Sequence, residues 1–137
     1  MKRTLCMFVL IALVSVWSAP ALAQATGTRF HIPFNFQVGK ERFPAGEYRL
    51  SVVSEKGLLI QQIEGNQSVV TMTKAPVEKP GKNGPAQLVF NRYGDKRFLS
   101  EAWLKNSSGR ELPSSAEERE YARSAQHDKE VVFASNR

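Results

Sequence analysis

The chain is almost without cysteine. Its 137 residues include one, Cys6, which lies in an apolar N-terminal run. Downstream of that run no thiol exists to form a disulfide, a thiolate metal site or a cysteine nucleophile. Histidine is nearly as scarce, with His31 and His127 far apart in sequence. Metal sites draw on clustered His, Cys, Asp and Glu, so neither a metal nor another cofactor is expected. No serine stands in a G-x-S-x-G elbow. Ser51, Ser54, Ser68 and Ser100 lie on or beside predicted strands without a nucleophile's setting, and no catalytic residue is assigned. The glycines fall at turns rather than in phosphate-cradling runs. Beyond residue 23, no stretch is apolar over the roughly 20 residues that a membrane-spanning helix needs. No basic stripe is interleaved with aromatics, so a nucleic-acid partner is not expected.

What is present begins with an export pattern. Met1-Lys2-Arg3 is a short basic region, Leu5 to Val16 an apolar core, and Ala21-Leu22-Ala23 the small-x-small pattern that a signal peptidase accepts. Residues 1–23 are therefore expected to be a secretory signal peptide and 24–137 a single β-rich domain, periplasmic or extracellular. Cys6 is not at the cleavage position, which argues against a lipoprotein. Without disulfides, an exported domain must be held by its hydrophobic core, and 114 residues suffice for one. Loss of Lys2 and Arg3 leaves 17 basic and 13 acidic residues, a net charge of +4. Acids and bases are interleaved, as in Lys74, Glu78, Lys79 and Lys82. The pattern fits a solvated mixed surface with at most weak attraction to anionic surface polymers.

The strand pattern is clearest at the start. Phe30, Ile32, Phe34, Phe36 and Val38 alternate with polar residues and Pro33, which predicts a half-buried strand. Pro33 has no N–H to give, so that strand should lie at an edge or carry a bulge. Gly39-Lys40 and Pro44-Ala45-Gly46 are two turns flanking a brief return strand at Arg42-Phe43, a corner where the chain would pass from one sheet to another. Further strands are predicted over 47–53, 58–63, 68–74, 86–93 and 97–104. The apolar opening of the 58–63 strand suggests cover on both faces. The two faces of 97–104 are Phe98, Ser100, Ala102, Leu104 and Leu99, Glu101, Trp103. Neither is cleanly polar, so this hairpin too is expected to be covered on both sides. Pro76 to Pro85 should be an exposed loop.

The character changes after Leu112-Pro113. Residues 114–125 predict a helix, with Ser114 and Glu117 as a capping box and a thin apolar side of Ala116, Tyr121, Ala122 and Ala125. Residues 130–134, around Val131-Val132-Phe133, read either as a last strand on an open edge or as a loose tail. The first strand, lying at an edge, is the natural partner for such a strand, which could also add to the edge of a second copy of the chain. The fold expected is mainly β: an antiparallel meander forming a small sandwich or barrel, with one short C-terminal helix. Periodicity does not separate the sandwich from the barrel.

IPFNFQVGKERFPAGEY, LVFNRYGDKRFLSEAW and GRELPSSAEERE resemble segments of a group of small exported bacterial proteins of unknown function. In that group an IPF-x-F-x-VG segment leads to PAG-x-Y, and an RYG-x-x-x-FL hairpin precedes an acidic helix. Here these are Ile32 to Phe36 with Val38-Gly39, Pro44 to Tyr48, Arg92 to Leu99 and Leu112 to Glu120. The resemblance implies export and a β-rich domain. It implies no activity.

Three functions follow as expectations. The first is an exported non-catalytic β domain with a binding or structural role in the cell envelope or outside the cell. The second is a small barrel around an apolar or aromatic ligand, with Tyr93 and Trp103 as lining residues because each joins a ring to a polar group. If exposed, those rings could stack on a sugar. The third is a secreted carboxylate-dependent hydrolase, for which Glu47, Glu101 and Glu111 qualify by type. Arg92, Asp95, Lys96 and Arg97 cluster at one hairpin turn, an exposed charged tip or a contact for an anionic partner.

Overall fold

The computed structural model describes residues 26–74, 76–78, 84–105 and 107–135. The predicted signal peptide, 1–23, lies outside the described residues, as do residues 79–83 of the predicted loop. Among the described residues no helix is long and apolar enough to cross a membrane. In chain order the elements are β1 (Thr28–Ile32), β2 (Phe36–Val38), β3 (Glu41–Phe43), β4 (Gly46–Ser54), β5 (Gly57–Gln62), β6 (Ser68–Met72), β7 (Gln87–Tyr93), β8 (Lys96–Trp103), β9 (Arg110–Glu111), α1 (Ala116–Ser124) and β10 (Asp128–Phe133).

They form two packed sheets. The first has the order β1-β4-β5-β6, and the second the order β10-β7-β8-β2-β3, with β9 also on β8. Pairing is antiparallel except between β2 and β8, which run parallel at Gln37 and Phe98. The meander order holds through β4-β5-β6 and the β7-β8 hairpin. It is interrupted where β1 pairs with β4 and where the β2-β3 hairpin docks beside β8. Two short seams join the sheets at their margins. One is the Phe30–Ala134 bridge, and the other is the reciprocal Val77–Gly109 pair at 3.0 and 2.9 Å. These seams are bridges rather than continuous ladders, so the architecture is a sandwich and not a closed barrel.

The predicted first strand is two strands. Its alternation is real, because Phe30, Ile32, Phe36 and Val38 all point into the core. Pro33, however, follows the last residue of β1, at the edge of the first sheet, and the chain then crosses to enter the second sheet as β2. Asn35 stabilises this crossing: its Oδ1 accepts the Ala45 backbone N–H at 3.0 Å. Pro44-Ala45-Gly46 is the return corner. It carries the chain from β3 back to β4, with Gly46 at φ 158° where a side chain would be strained.

Two further expectations are corrected. The strand at 58–63 is not covered on both faces: Leu58 and Ile60 are buried, while Leu59 is half-exposed beside Val70, its register partner. The C-terminal segment is a strand rather than a loose tail, but its ladder partner is β7 over six residues, not β1. Val132 packs on the core from there, and β1 is reached only at the Ala134 seam.

Interlocked rings fill the interior. Phe36 meets Tyr48 edge-on at 5.0 Å and Phe90 at 5.5 Å, and it stacks on Phe43 at 5.3 Å. Tyr48 is fully buried and donates its hydroxyl to the Pro44 carbonyl. Burial pushes its pKa up to about 12 from the ordinary 10.0. A raised tyrosine pKa means the folded state holds the proton more tightly. The resulting stability is fully present below pH 10 and is lost as pH climbs toward 12, on the order of 2–3 kcal/mol. Urea midpoints of the wild type should therefore fall steeply over that interval. Tyr48→Phe should start lower by about 1–2 kcal/mol, having lost the hydrogen bond, and should show a shallower alkaline fall. Parallel pH profiles would contradict this.

Candidate functional site

The outer face of the second sheet carries the chemistry. Its layout depends on a register shift in the β7-β8 ladder, where Phe90 pairs with Leu99 but Val89 pairs with Glu101. The extra residue is Ser100, whose carbonyl accepts the Leu112 N–H at 2.8 Å. A bulge of this kind inverts the side-chain phase along a strand. Before it Phe98 points out and Leu99 in. After it Ala102 and Leu104 point in, and Glu101 and Trp103 point out. This explains why neither face of β8 is polar in sequence. The outer face divides into a helix-covered half and an open half.

Under α1, Gln37, Phe98 and Asn91 form one cross-strand row. The helix is capped by Ser115, whose hydroxyl accepts the Glu118 N–H at 3.1 Å, one residue later than the predicted Ser114–Glu117 box. The shift turns Glu118 inward. It is 4% exposed and accepts from Asn91 Nδ2 at 2.8 Å and from the Tyr93 hydroxyl at 3.4 Å. Tyr93 packs among Phe98, Tyr121 and His127. Its pKa is raised, first by burial and then by the neighbouring Glu118 charge and hydrogen bond. Glu117 reaches the other end of the row, accepting from Gln37 at 3.4 Å and pairing with Arg42 at 3.5 Å. Gln37 Oε1 and Asn91 Oδ1 are buried there without a partner. Polar contacts thus hold the helix where its apolar side is thin.

The open half centres on Trp103. Its ring lies over Gly109: a Cβ built on that glycine would stand 2.4–2.6 Å from three indole carbons. The indole N–H donates to Glu101 Oε2 at 2.9 Å. Glu101 and Glu111 are direct cross-strand partners on β8 and β9, so their side chains share the outer face. Together with Trp103, Val77 and Glu78 they line a cleft of about 290 Å³. Each carboxylate already holds a lysine: Glu101 has Lys129 at 3.3 Å, and Glu111 has Lys74 at 2.6 Å.

A second cleft, of about 410 Å³, lies between the β2-β3 and β7-β8 hairpins and is lined by Arg42, Pro44, Asp95, Lys96 and Arg97 among others. Two of its cations are already engaged. Arg42 pairs with Glu117, while Arg97 pairs with Glu130 at 2.7 Å and caps the Phe34 ring at 4.4 Å. Arg92, grouped with this hairpin tip in sequence, is not among the lining residues.

The structure does not bring Tyr93 and Trp103 together. Tyr93 is beneath the helix, and Trp103 is in the open cleft. Glu47 is bonded instead to His31 at 2.8 Å, remote from His127, which stacks on Tyr93. Among the described residues no group of three His, Cys, Asp or Glu could hold a metal ion, and neither histidine bonds to Ser51, Ser54, Ser68 or Ser100. Sequence reasoning missed Glu118, which a one-residue shift of the capping box would have exposed, and Gly109, which reads as an ordinary turn glycine. Comparison with family models, with curated proteins and with solved structures finds no match for the chain.

The Gly109–Trp103 contact gives a direct prediction. Gly109→Ala should drive the ring off β9, break the indole bond to Glu101 and cost roughly 1–3 kcal/mol. Trp103 is the only tryptophan beyond residue 23. Its indole N–H signal in heteronuclear NMR should move toward the solvent-exposed position, and an unmoved signal would refute the contact.

Proposed function

We propose that the chain is an exported, non-catalytic β domain that works by binding, in the bacterial envelope or outside the cell. One observation carries this reading: the core is filled with interlocked rings, and the clefts lie elsewhere, one on the outer face of the second sheet and one between the β2-β3 and β7-β8 hairpins. Phe30, Phe36, Tyr48 and Phe90 occupy the space where a ligand of a small barrel would sit, which weighs against the barrel reading. The hydrolase reading draws support from the Glu101–Glu111 pair beside Trp103. It is weakened by the surroundings, since a glycosidase sets its two carboxyls in unlike environments, whereas each of these lies beside a lysine ammonium. Weak contact with anionic surface polymers would fall to the basic cleft at Lys96.

Expression of the full chain in a bacterial host tests the export component. The protein should be recovered outside the cytoplasm, with an N-terminus at Gln24. A cytoplasmic product that retains Met1 would defeat it. Glu101→Gln and Glu111→Gln test the non-catalytic component: neither should change any hydrolytic background on glycoside substrates, and loss of a measurable turnover in either would make the protein an enzyme.

A further inference from the structure

The edges of the two sheets are not alike. A free edge invites pairing with another chain, and charge, short length or cover normally blunts it. β1 is covered, since the Ser135 N–H donates to the Arg29 carbonyl at 2.9 Å beside the Phe30–Ala134 bridge. β10 opens on Asp128, Lys129 and Glu130 and closes at that same seam. β3 is three residues long, carries Glu41 and Arg42, and has the Arg42 carbonyl capped by Gln67 Nε2. β6, at the far edge of the first sheet, is Ser68-Val69-Val70-Thr71-Met72, with neither a charge nor a proline.

The ladder fixes which backbone groups of β6 are open. At one end the Gln62 N–H donates to the Gln67 carbonyl at 2.9 Å, and at the other the Thr73 N–H donates to the Lys56 carbonyl at 2.7 Å. The register between them is unbroken, and bonded pairs alternate with unbonded ones in an antiparallel ladder. Val69 and Thr71 therefore aim their N–H and C=O at β5, while Ser68, Val70 and Met72 aim theirs at the edge. Among the described residues nothing bonds to them there. Lys74, next in the same phase, does use its outward N–H, donating to the Glu111 carbonyl at 2.8 Å. That tie and the Gln67–Arg42 contact both lead to the second sheet, and between them the edge is open.

The side chains beside this edge are apolar as well as exposed. Val70 is 59% and Met72 63% exposed. Leu59, the partner of Val70, is half-exposed on the same face. Val53, 52% exposed, lies over Gly57, the partner of Met72: its Cγ2 is 3.0 Å from where a Cβ on that glycine would stand. Three of the large apolar side chains most open to water thus collect where the backbone is also unpaired.

We propose that β6 pairs antiparallel with β6 of a second copy of this chain, across a two-fold axis at Val70. A two-fold there lays the open stretch on itself. Val70 faces Val70 of the second copy, and Ser68 faces its Met72, so every outward N–H on 68, 70 and 72 meets a carbonyl. Neither copy brings a charge to 68–72, so no like-charged pair faces across the new ladder. Leu59 and Val70 of the two copies then form one apolar row, which covers the side chains that each copy leaves in water. The Lys74–Glu111 pair limits the ladder at Met72, where the other copy's chain leaves through its Glu64–Asn66 turn. The first sheets of the two copies become one continuous sheet. This inference is independent of export and of what the clefts bind.

The test uses the protein recovered after expression of the full chain. Sedimentation velocity should resolve a reversible dimer whose share rises with concentration. Amide hydrogen exchange should locate it: Val70 and Met72 should gain protection as the dimer forms, while Val69 and Thr71, bonded to β5, stay protected throughout. Val70→Lys, at a surface position that leaves the core intact, should weaken the dimer roughly tenfold or more, because the two-fold sets like charges face to face. Val70→Glu should do the same. Mixing these two variants should restore the dimer, which requires residue 70 of one copy to face residue 70 of the other. Phe133→Lys, on β10, should change nothing. The proposal is overturned by a chain that stays monomeric up to about 1 mM, by a dimer that leaves exchange at Val70 and Met72 unchanged, or by one that survives Val70→Lys. It is equally overturned by a dimer lost in Phe133→Lys, or by Lys and Glu variants that do not pair when mixed.

Discussion

The edge-to-face contact between Phe36 and Tyr48, at 5.0 Å, is the interaction on which the rest of the structure depends. Phe36 belongs to the second sheet and Tyr48 to the first. The chain between them makes the β2-β3 hairpin and the Pro44-Ala45-Gly46 corner. Tyr48 then returns its hydroxyl to the Pro44 carbonyl, tying the corner to the ring that the corner delivers. Phe43 and Phe90 complete the cluster from β3 and β7. Because β1 and β2 are successive halves of one alternating segment, the sheets cannot slide apart without pulling buried rings into water. That is how the domain holds together without a disulfide, as burial of large aromatic side chains allows.

The outer face follows from that frame through one irregularity. A straight β8 would have placed Phe98, Ala102 and Leu104 on a single side. The extra residue at Ser100 inverts the phase, so that the same strand presents Phe98 to the helix and the half-buried Trp103 to the part of the face beside β9. One bulge thus makes a covered half and an open half on one sheet. β9 extends the open half by pairing with the stretch of β8 beyond the bulge, and it brings Glu111 and Gly109 beside the indole.

Much of the framework was legible in the residues. The alternation at Phe30–Val38, the return corner and the strands around Tyr48, Ile60 and Phe90 are local signals, and Phe30, Ile32, Phe36, Val38, Tyr48 and Leu50 took the face their period assigned. Legibility failed where the outcome depended on a partner distant in sequence. Pro33 marked an edge, but the crossing to a second sheet depended on Phe36 finding Tyr48 and Phe90. The capping box was readable as a motif and ambiguous by one residue, since Ser114 and Ser115 are both followed three positions later by glutamate. Burial of Glu118 against Asn91 and Tyr93 accompanies the second choice. The clefts were the least legible, because a bulge leaves no reliable mark in a sequence and Gly109 matters only for the ring that lies on it.

The proximity of Glu101 and Glu111 needs an explanation other than catalysis. Like charges directly opposite on a sheet destabilise it, so the pair requires compensation. Lys129 approaches Glu101 from β10, and Lys74 approaches Glu111 from the segment after β6. The two cations come from different sheets, Lys129 from an edge strand of the second and Lys74 from the segment that leaves the first. Lys74 also donates its backbone N–H to the Glu111 carbonyl at 2.8 Å, next to the Val77–Gly109 seam. Glu111 is therefore part of how the sandwich is joined at that margin. Exposed ion pairs of this kind contribute little stability each, so a purely structural role would tolerate their replacement. Glu101 also accepts the Trp103 indole N–H at 2.9 Å, so one member of the pair holds the ring over Gly109 while the other ties the margin to the first sheet.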